Sequence, residues 1–132
     1  MVLDPTKPSI YPTLQYRDAP SAIRFLTSTF GLLEKFVVLG EGGTIAHAQL
    51  AWGNGLVMLG STDGKGDYDT SKVVLYLASE DVDAHYERAV AAGAQIVMEL
   101  SDQDYGSREY SALDPEGNVW CFGSYQPGAD DS

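Results

Sequence analysis

The chain has 132 residues, 44% of them hydrophobic and 20% charged, which suits one folded domain and excludes the disordered and fibrous classes. Lys plus Arg number 8 against 19 Asp plus Glu, a formal charge of −11; that field repels phosphate backbones and anionic headgroups, so neither nucleic acid nor a membrane is an expected partner. Cys121 is the single cysteine, which excludes an intramolecular disulfide and an all-thiolate zinc site within one chain.

Residues 1–9 carry Asp4, Lys7 and two prolines, unlike a secretory signal, and no apolar run is long enough to span a bilayer, so a cytoplasmic protein is expected. Residues 11–18 then alternate Pro12, Leu14 and Tyr16 against Thr13 and Gln15, the period-two pattern of a half-buried strand. Asp18 is placed to cap a helix over about 19–30, in which Ala22, Ile23, Leu26 and Phe30 share one face and Pro20 is tolerated in the first turn. Gly31 ends it. Extended segments follow at 36–39, 44–52 and 56–59, the last two joined by the turn formers Gly53, Asn54 and Gly55. Gly40–Gly43 reads as a turn, since neither a helix start nor a Lys-Ser/Thr pair follows it as in a phosphate loop.

Residues 62–70 are polar, glycine-rich and aperiodic, as expected of a linker. The pattern then begins again: a strand over 73–81 runs into Asp81, a helix with Val82, Tyr86, Ala89 and Val90 inward ends at Gly93, and extended segments follow at 94–100, 107–113 and 119–122. The aspartate caps are 81 − 18 = 63 residues apart, the terminating glycines 93 − 31 = 62, and the closing Gly-Ser pairs 123 − 60 = 63. One βαβββ module is therefore used twice. The expected organisation is a single α+β domain over 1–132, with module one at about 10–61, the linker at 62–70, module two at about 71–125 and a flexible tail at 126–132.

Residues 11–18, Phe30-Gly31-Leu32, Ala92-Gly93-Ala94 and, most specifically, Asp114-Pro115-Glu116-Gly117-Asn118 followed by Val119-Trp120-Cys121-Phe122 resemble the vicinal oxygen chelate superfamily, the glyoxalase, bleomycin-resistance and dioxygenase type. Tyr105-Gly106-Ser107-Arg108 resembles its small, stand-alone bleomycin-resistance-like branch. The resemblance covers residues 10–125. It implies that the sheets curve half-open around a cavity, completed within a chain or across a dimer, and that the protein is a homodimer. Metal-dependent members take ligands from the first and last strand of each module, and the matching positions here are Tyr11, Val74, Met58 and Cys121. Magnesium or manganese needs carboxylate, carbonyl or imidazole donors, which these side chains lack, so no metal and no other cofactor is expected. A soft ion such as Cu(I) on Cys121 and Met58 is the disfavoured alternative, because both residues equally suit an apolar wall.

Strand alternation offers a ligand-binding set. It comprises Tyr11, Thr13 and Gln15 on the first strand, Tyr76 with Val74 and Ala78 on its counterpart, Met58 and Cys121 on the last strands, and His47 with Gln49 and Arg108 with Tyr110 on the middle strands. Arg108 has two readings, a clamp for an anionic ligand group or a partner for surface acids. Trp52 likewise reads as a stacking platform or as a hairpin-end core residue. His85, flanking the inward stripe of its helix, is expected in solvent and is left out of the site. No Ser-His-Asp or Cys-His constellation and no paired cavity carboxylates are visible, so no catalytic residue is assigned. The expected function is metal-free binding of a small molecule, an antibiotic or another aromatic or cationic compound. The alternative is a lyase, isomerase or dioxygenase-like enzyme of the superfamily with a non-standard or metal-free site built on His47, Tyr76 or Tyr110.

Overall fold

A computed structural model describes residues 2–69 and 72–128. They fall into two compact units, divided between residues 71 and 72. Unit one contains β1 (Thr13–Tyr16), α1 (Ala19–Phe25), β2 (Leu33–Leu39), β3 (Ile45–Trp52) and β4 (Gly55–Ser61); unit two contains β5 (Val74–Ala78), α2 (Val82–Ala91), β6 (Gln95–Asp102), β7 (Arg108–Leu113) and β8 (Val119–Gly123). The expected linker is described as far as residue 69 and the expected tail as far as residue 128; their remaining residues lie outside the described ones. Among the described residues, no helix is long and apolar enough to cross a membrane.

Each unit is one four-stranded mixed sheet with a helix on one face, and the strand orders are the same, β1-β4-β3-β2 and β5-β8-β7-β6. The first pair in each sheet is parallel and the others antiparallel. Asp18 and Asp81 cap the helices as expected, their carboxylates accepting from the backbone N–H of Ser21 and Ala84 at 3.1 Å each. The architecture is that of an α+β protein made of two tandem βαβββ modules, as the 63-residue repeat required.

Three details depart from the sequence reading. The first helix leaves α geometry at Leu26 and finishes as a π-helical turn over Leu26–Phe30. There Thr27 Oγ1 donates to the carbonyl of Ile23 at 2.8 Å and Ser28 Oγ to that of Arg24 at 2.6 Å, so β-hydroxyls compete for the carbonyls of the preceding turn. The strand expected over 36–39 begins at Leu33 instead. It is a sheet edge and almost wholly exposed, with irregular register beside Phe36 and Leu39, so it lacks the alternation that marks a half-buried strand. On α2, Val82 and Ala89 are buried as expected, but His85 is buried with them and Val90 is exposed.

The core of each unit lies between helix and sheet. In unit one Leu14, Tyr16, Ala48, Leu50, Val57 and Leu59 are buried on the sheet, and Ala22, Ile23, Leu26 and Phe30 on the helix. In unit two Leu77, Tyr110, Ala112, Trp120 and Phe122 are buried on the sheet. The β7–β8 turn is locked by one side chain. Asp114 accepts from the backbone N–H of Glu116 (2.9 Å) and Asn118 (3.0 Å) through Oδ1, and from Asn118 Nδ2 and Trp120 Nε1 (3.0 Å each) through Oδ2. The Asp-Pro-Glu-Gly-Asn sequence thus closes a hairpin and satisfies the polar edge of the fully buried Trp120.

Candidate functional site

One face of each sheet is covered by its helix, and the opposite face carries most of the residues grouped by strand alternation. On unit one Thr13 pairs with Met58, Met58 with Gln49, and Gln49 with Phe36, so these four side chains form one row across the helix-free face. Gln15, His47 and Val38 stand one pleat further along the same face. Gln49 Nε2 and His47 Nε2 lie 3.0 Å apart, within hydrogen-bond distance. Phe36 lies edge-on to the imidazole at 6.2 Å. The structure therefore brings together Thr13, Gln15, His47, Gln49 and Met58 as the alternation required.

It does not bring Tyr11 and Trp52 into that set. Tyr11 precedes β1, and its hydroxyl is spent on the carbonyl of Pro8 at 2.7 Å. Trp52 has the strand parity of Ala48 and Leu50, which places it on the helix side and favours the hairpin-end core reading.

Unit two carries the equivalent row. Tyr76 pairs with Cys121, Cys121 with Ser111, and Ser111 with Met98. Tyr76 and Cys121 thus lie together on the helix-free face. Arg108 and Tyr110 do not. Tyr110 is fully buried against α2, its ring stacked on Phe122 at 5.4 Å and its hydroxyl 2.6 Å from His85 Nδ1. Burial pushes its phenol well above the ordinary value. Arg108 turns to the same side, where Nε meets Asp83 of α2 at 2.7 Å and Nη1 meets Asp102 at 3.1 Å. Its surface-acid reading is the one the structure favours. Choosing the wrong face for this pair also misplaced His85, because the helix stripe and the strand face that it meets are a single interface.

The residue that sequence reading missed is Glu109. It alternates with Arg108 and Tyr110, lies on the helix-free face and is 8% exposed. Its Oε1 accepts from Tyr105 Oη at 2.8 Å. The repeat could have found it, since 109 − 62 = 47 makes it the counterpart of His47 by the offset between the terminating glycines. Gly123 provides the floor beside it: a Cβ there would stand 2.5 Å from Tyr76 Oη and 2.6 Å from Glu109 Cγ. Tyr76 Oη donates to the carbonyl of Tyr125 at 2.7 Å, and the backbone N–H of Tyr125 donates to Ser107 Oγ at 3.1 Å. Burial raises the proton affinity of Tyr76 and of the Cys121 thiol, and the Glu109 carboxylate adds to both shifts.

The four positions that carry metal in metal-dependent relatives do not fit a hard divalent ion. Tyr11 is committed to Pro8, Met58 and Val74 offer no oxygen or nitrogen donor, and the Cys121 thiol holds its proton more tightly than usual. Among the described residues, no three His, Cys, Asp or Glu side chains gather into a metal-binding group.

Comparison with known proteins agrees with this architecture. The family profile for the glyoxalase/bleomycin resistance protein/dioxygenase superfamily matches residues 10–122. An uncharacterized protein of Mycobacterium bovis is 36% identical over 126 residues, covering 89% of this chain and 83% of its own. The crystal structure of TioX from Micromonospora sp. ML1 is similar at a TM-score of 0.77 with 34% identity, over 89% of this chain and 98% of that one. A lactoylglutathione lyase from Agrobacterium tumefaciens shares the fold at a TM-score of 0.67 with 20% identity, over 91% and 95% of the two chains. By its repeated module, its closing Asp-Pro turn and these likenesses, the chain belongs to the glyoxalase/bleomycin resistance protein/dioxygenase superfamily.

Proposed function

We propose that this protein binds a small organic molecule on the helix-free faces of its sheets without using a metal ion. The observation that carries this reading is the chemistry of those faces. The positions that match the family's metal ligands hold Tyr11, Met58, Val74 and Cys121 in place of carboxylates and imidazoles, and the methionine, thiol, phenol and carboxamide groups on the faces suit contact with a planar, partly apolar ligand. Thr13, Gln15, His47, Gln49 and Met58 offer contacts on the face of unit one, Tyr76 and Cys121 offer them on the face of unit two, and antibiotics with aromatic or cationic groups are the first ligands to try. Tyr11, Arg108, Tyr110 and Trp52 are left out of the set for the geometric reasons above.

Cytoplasmic localisation and homodimerisation belong to the same reading. Light scattering on the purified protein tests the second, and a monomer at micromolar concentration would remove it. The test of the main proposal is metal analysis of untagged protein together with titration of candidate aromatic compounds against intrinsic fluorescence. A saturable fluorescence change in protein without stoichiometric metal is the expected result. Nickel, zinc, iron or manganese at one ion per chain would overturn it.

A further inference from the structure

The Glu109 carboxylate is buried, yet among the described residues no cation pairs with it. Among the described residues Tyr105 supplies the one hydrogen bond to the carboxylate, although a carboxylate has about four acceptor sites. Among the described residues no Lys or Arg forms an ion pair with it, and the adjacent Arg108 is held on the opposite face by Asp83 and Asp102. Removing a carboxylate from water without a counter-charge is costly, and the cost falls when an incoming group supplies that charge.

Three half-exposed tyrosines border the same spot, at 41% (Tyr76), 63% (Tyr105) and 53% (Tyr125) relative exposure. They are held to it and to one another. Tyr105 is hydrogen-bonded to the carboxylate, Tyr76 shares the Gly123 floor with it, Tyr76 is bonded to the backbone of Tyr125, and the Tyr105 and Tyr125 rings meet edge-on at 6.2 Å. Phenol rings present negative faces, which attract cations, especially those without N–H donors to lose to water. The acidic chain as a whole draws the same class of ligand.

We propose that Glu109, with Tyr76, Tyr105 and Tyr125 around it over Gly123, is a binding site for an organic cation, a quaternary ammonium or protonated amine group. The site lies wholly within unit two. It deepens the small-molecule reading above and rests on it, assigning the charged end of the ligand to one carboxylate.

The probes are choline and its uncharged analogue with carbon in place of the quaternary nitrogen, titrated against the full chain and followed by amide NMR. Choline should give saturable shifts centred on Ser107, Glu109, Gly123 and Tyr125, and the uncharged analogue should bind about tenfold more weakly or worse. Glu109→Gln, which keeps the side-chain shape, should remove the preference for the charged probe. Gly123→Ala, which fills the floor, should weaken choline binding while the rest of the spectrum certifies the fold. Equal binding of the two probes, undiminished choline binding by Glu109→Gln, or no shifts around Gly123 would overturn the cation site. The metal analysis described above decides the broader reading independently, so the two failures are distinguishable.

Discussion

The Tyr110 hydroxyl lies 2.6 Å from His85 Nδ1 beneath α2, and together with the Arg108–Asp83 ion pair it joins α2 to β7. His85 also packs on Phe122 with ring centroids 4.1 Å apart, and Tyr86 meets Tyr110 edge-on at 5.0 Å. A histidine that solvent would otherwise claim is thereby a core residue, accepted because a buried hydroxyl answers its ring nitrogen.

Tyr110→Phe should destabilise the protein by about 1–3 kcal/mol, because the hydroxyl is withdrawn from a buried partner while the ring stays. Urea denaturation measures it. In a double-mutant cycle with His85→Ala the two losses should be less than additive, and strictly additive losses would show that the hydrogen bond carries no stability.

Asp114 should be the most sensitive polar position in the chain. Asp114→Ala strips the acceptor from four donors, including those of buried Asn118 and Trp120, and should cost about 3 kcal/mol or more. Asp114→Asn, which keeps one oxygen, should cost less. Denaturant midpoints of the two variants check the order.

Gly93 ends α2 at a φ of 82°, and a Cβ there would meet nothing within 4 Å. Gly93→Ala should therefore isolate the backbone cost of the left-handed conformation, about 1–2 kcal/mol. Thermal or urea unfolding reads it, and a neutral result would mean that the helix can end another way.

The hydrogen bond to Glu109 raises the Tyr105 phenol from its ordinary 10.0 to about 12. The folded state thus holds this proton more tightly than the unfolded chain does, so the contribution to stability is complete below pH 10.0 and is lost as pH rises through about 12. Beside the late titrations of buried Tyr110 and of Tyr76, phenolate absorbance should lose one late-titrating group in Tyr105→Phe, and that group should return toward the ordinary value in Glu109→Gln. An unchanged profile in Glu109→Gln would break the assigned contact.

The repeat, the helix caps and the hairpin turns could be read from the residues, because each depends on local chemistry: an aspartate before a helix, a glycine able to adopt positive φ, alternation along a strand. The same locality explains the strand orientations that were legible. Thr13, Gln15, Met58, Tyr76 and Cys121 sit on strands whose other face is plainly apolar, and their orientation follows from period two. On β7 both faces are rich in polar or aromatic side chains, so the pattern does not say which of Glu109 and Tyr110 turns inward. Packing against α2 decides it: the helix offers His85 to a phenol and Asp83 to a guanidinium, which takes Tyr110 and Arg108 to one side and leaves Glu109 on the other. Such a choice is made by contacts between segments 25 residues apart, and it exists only once helix and sheet have come together.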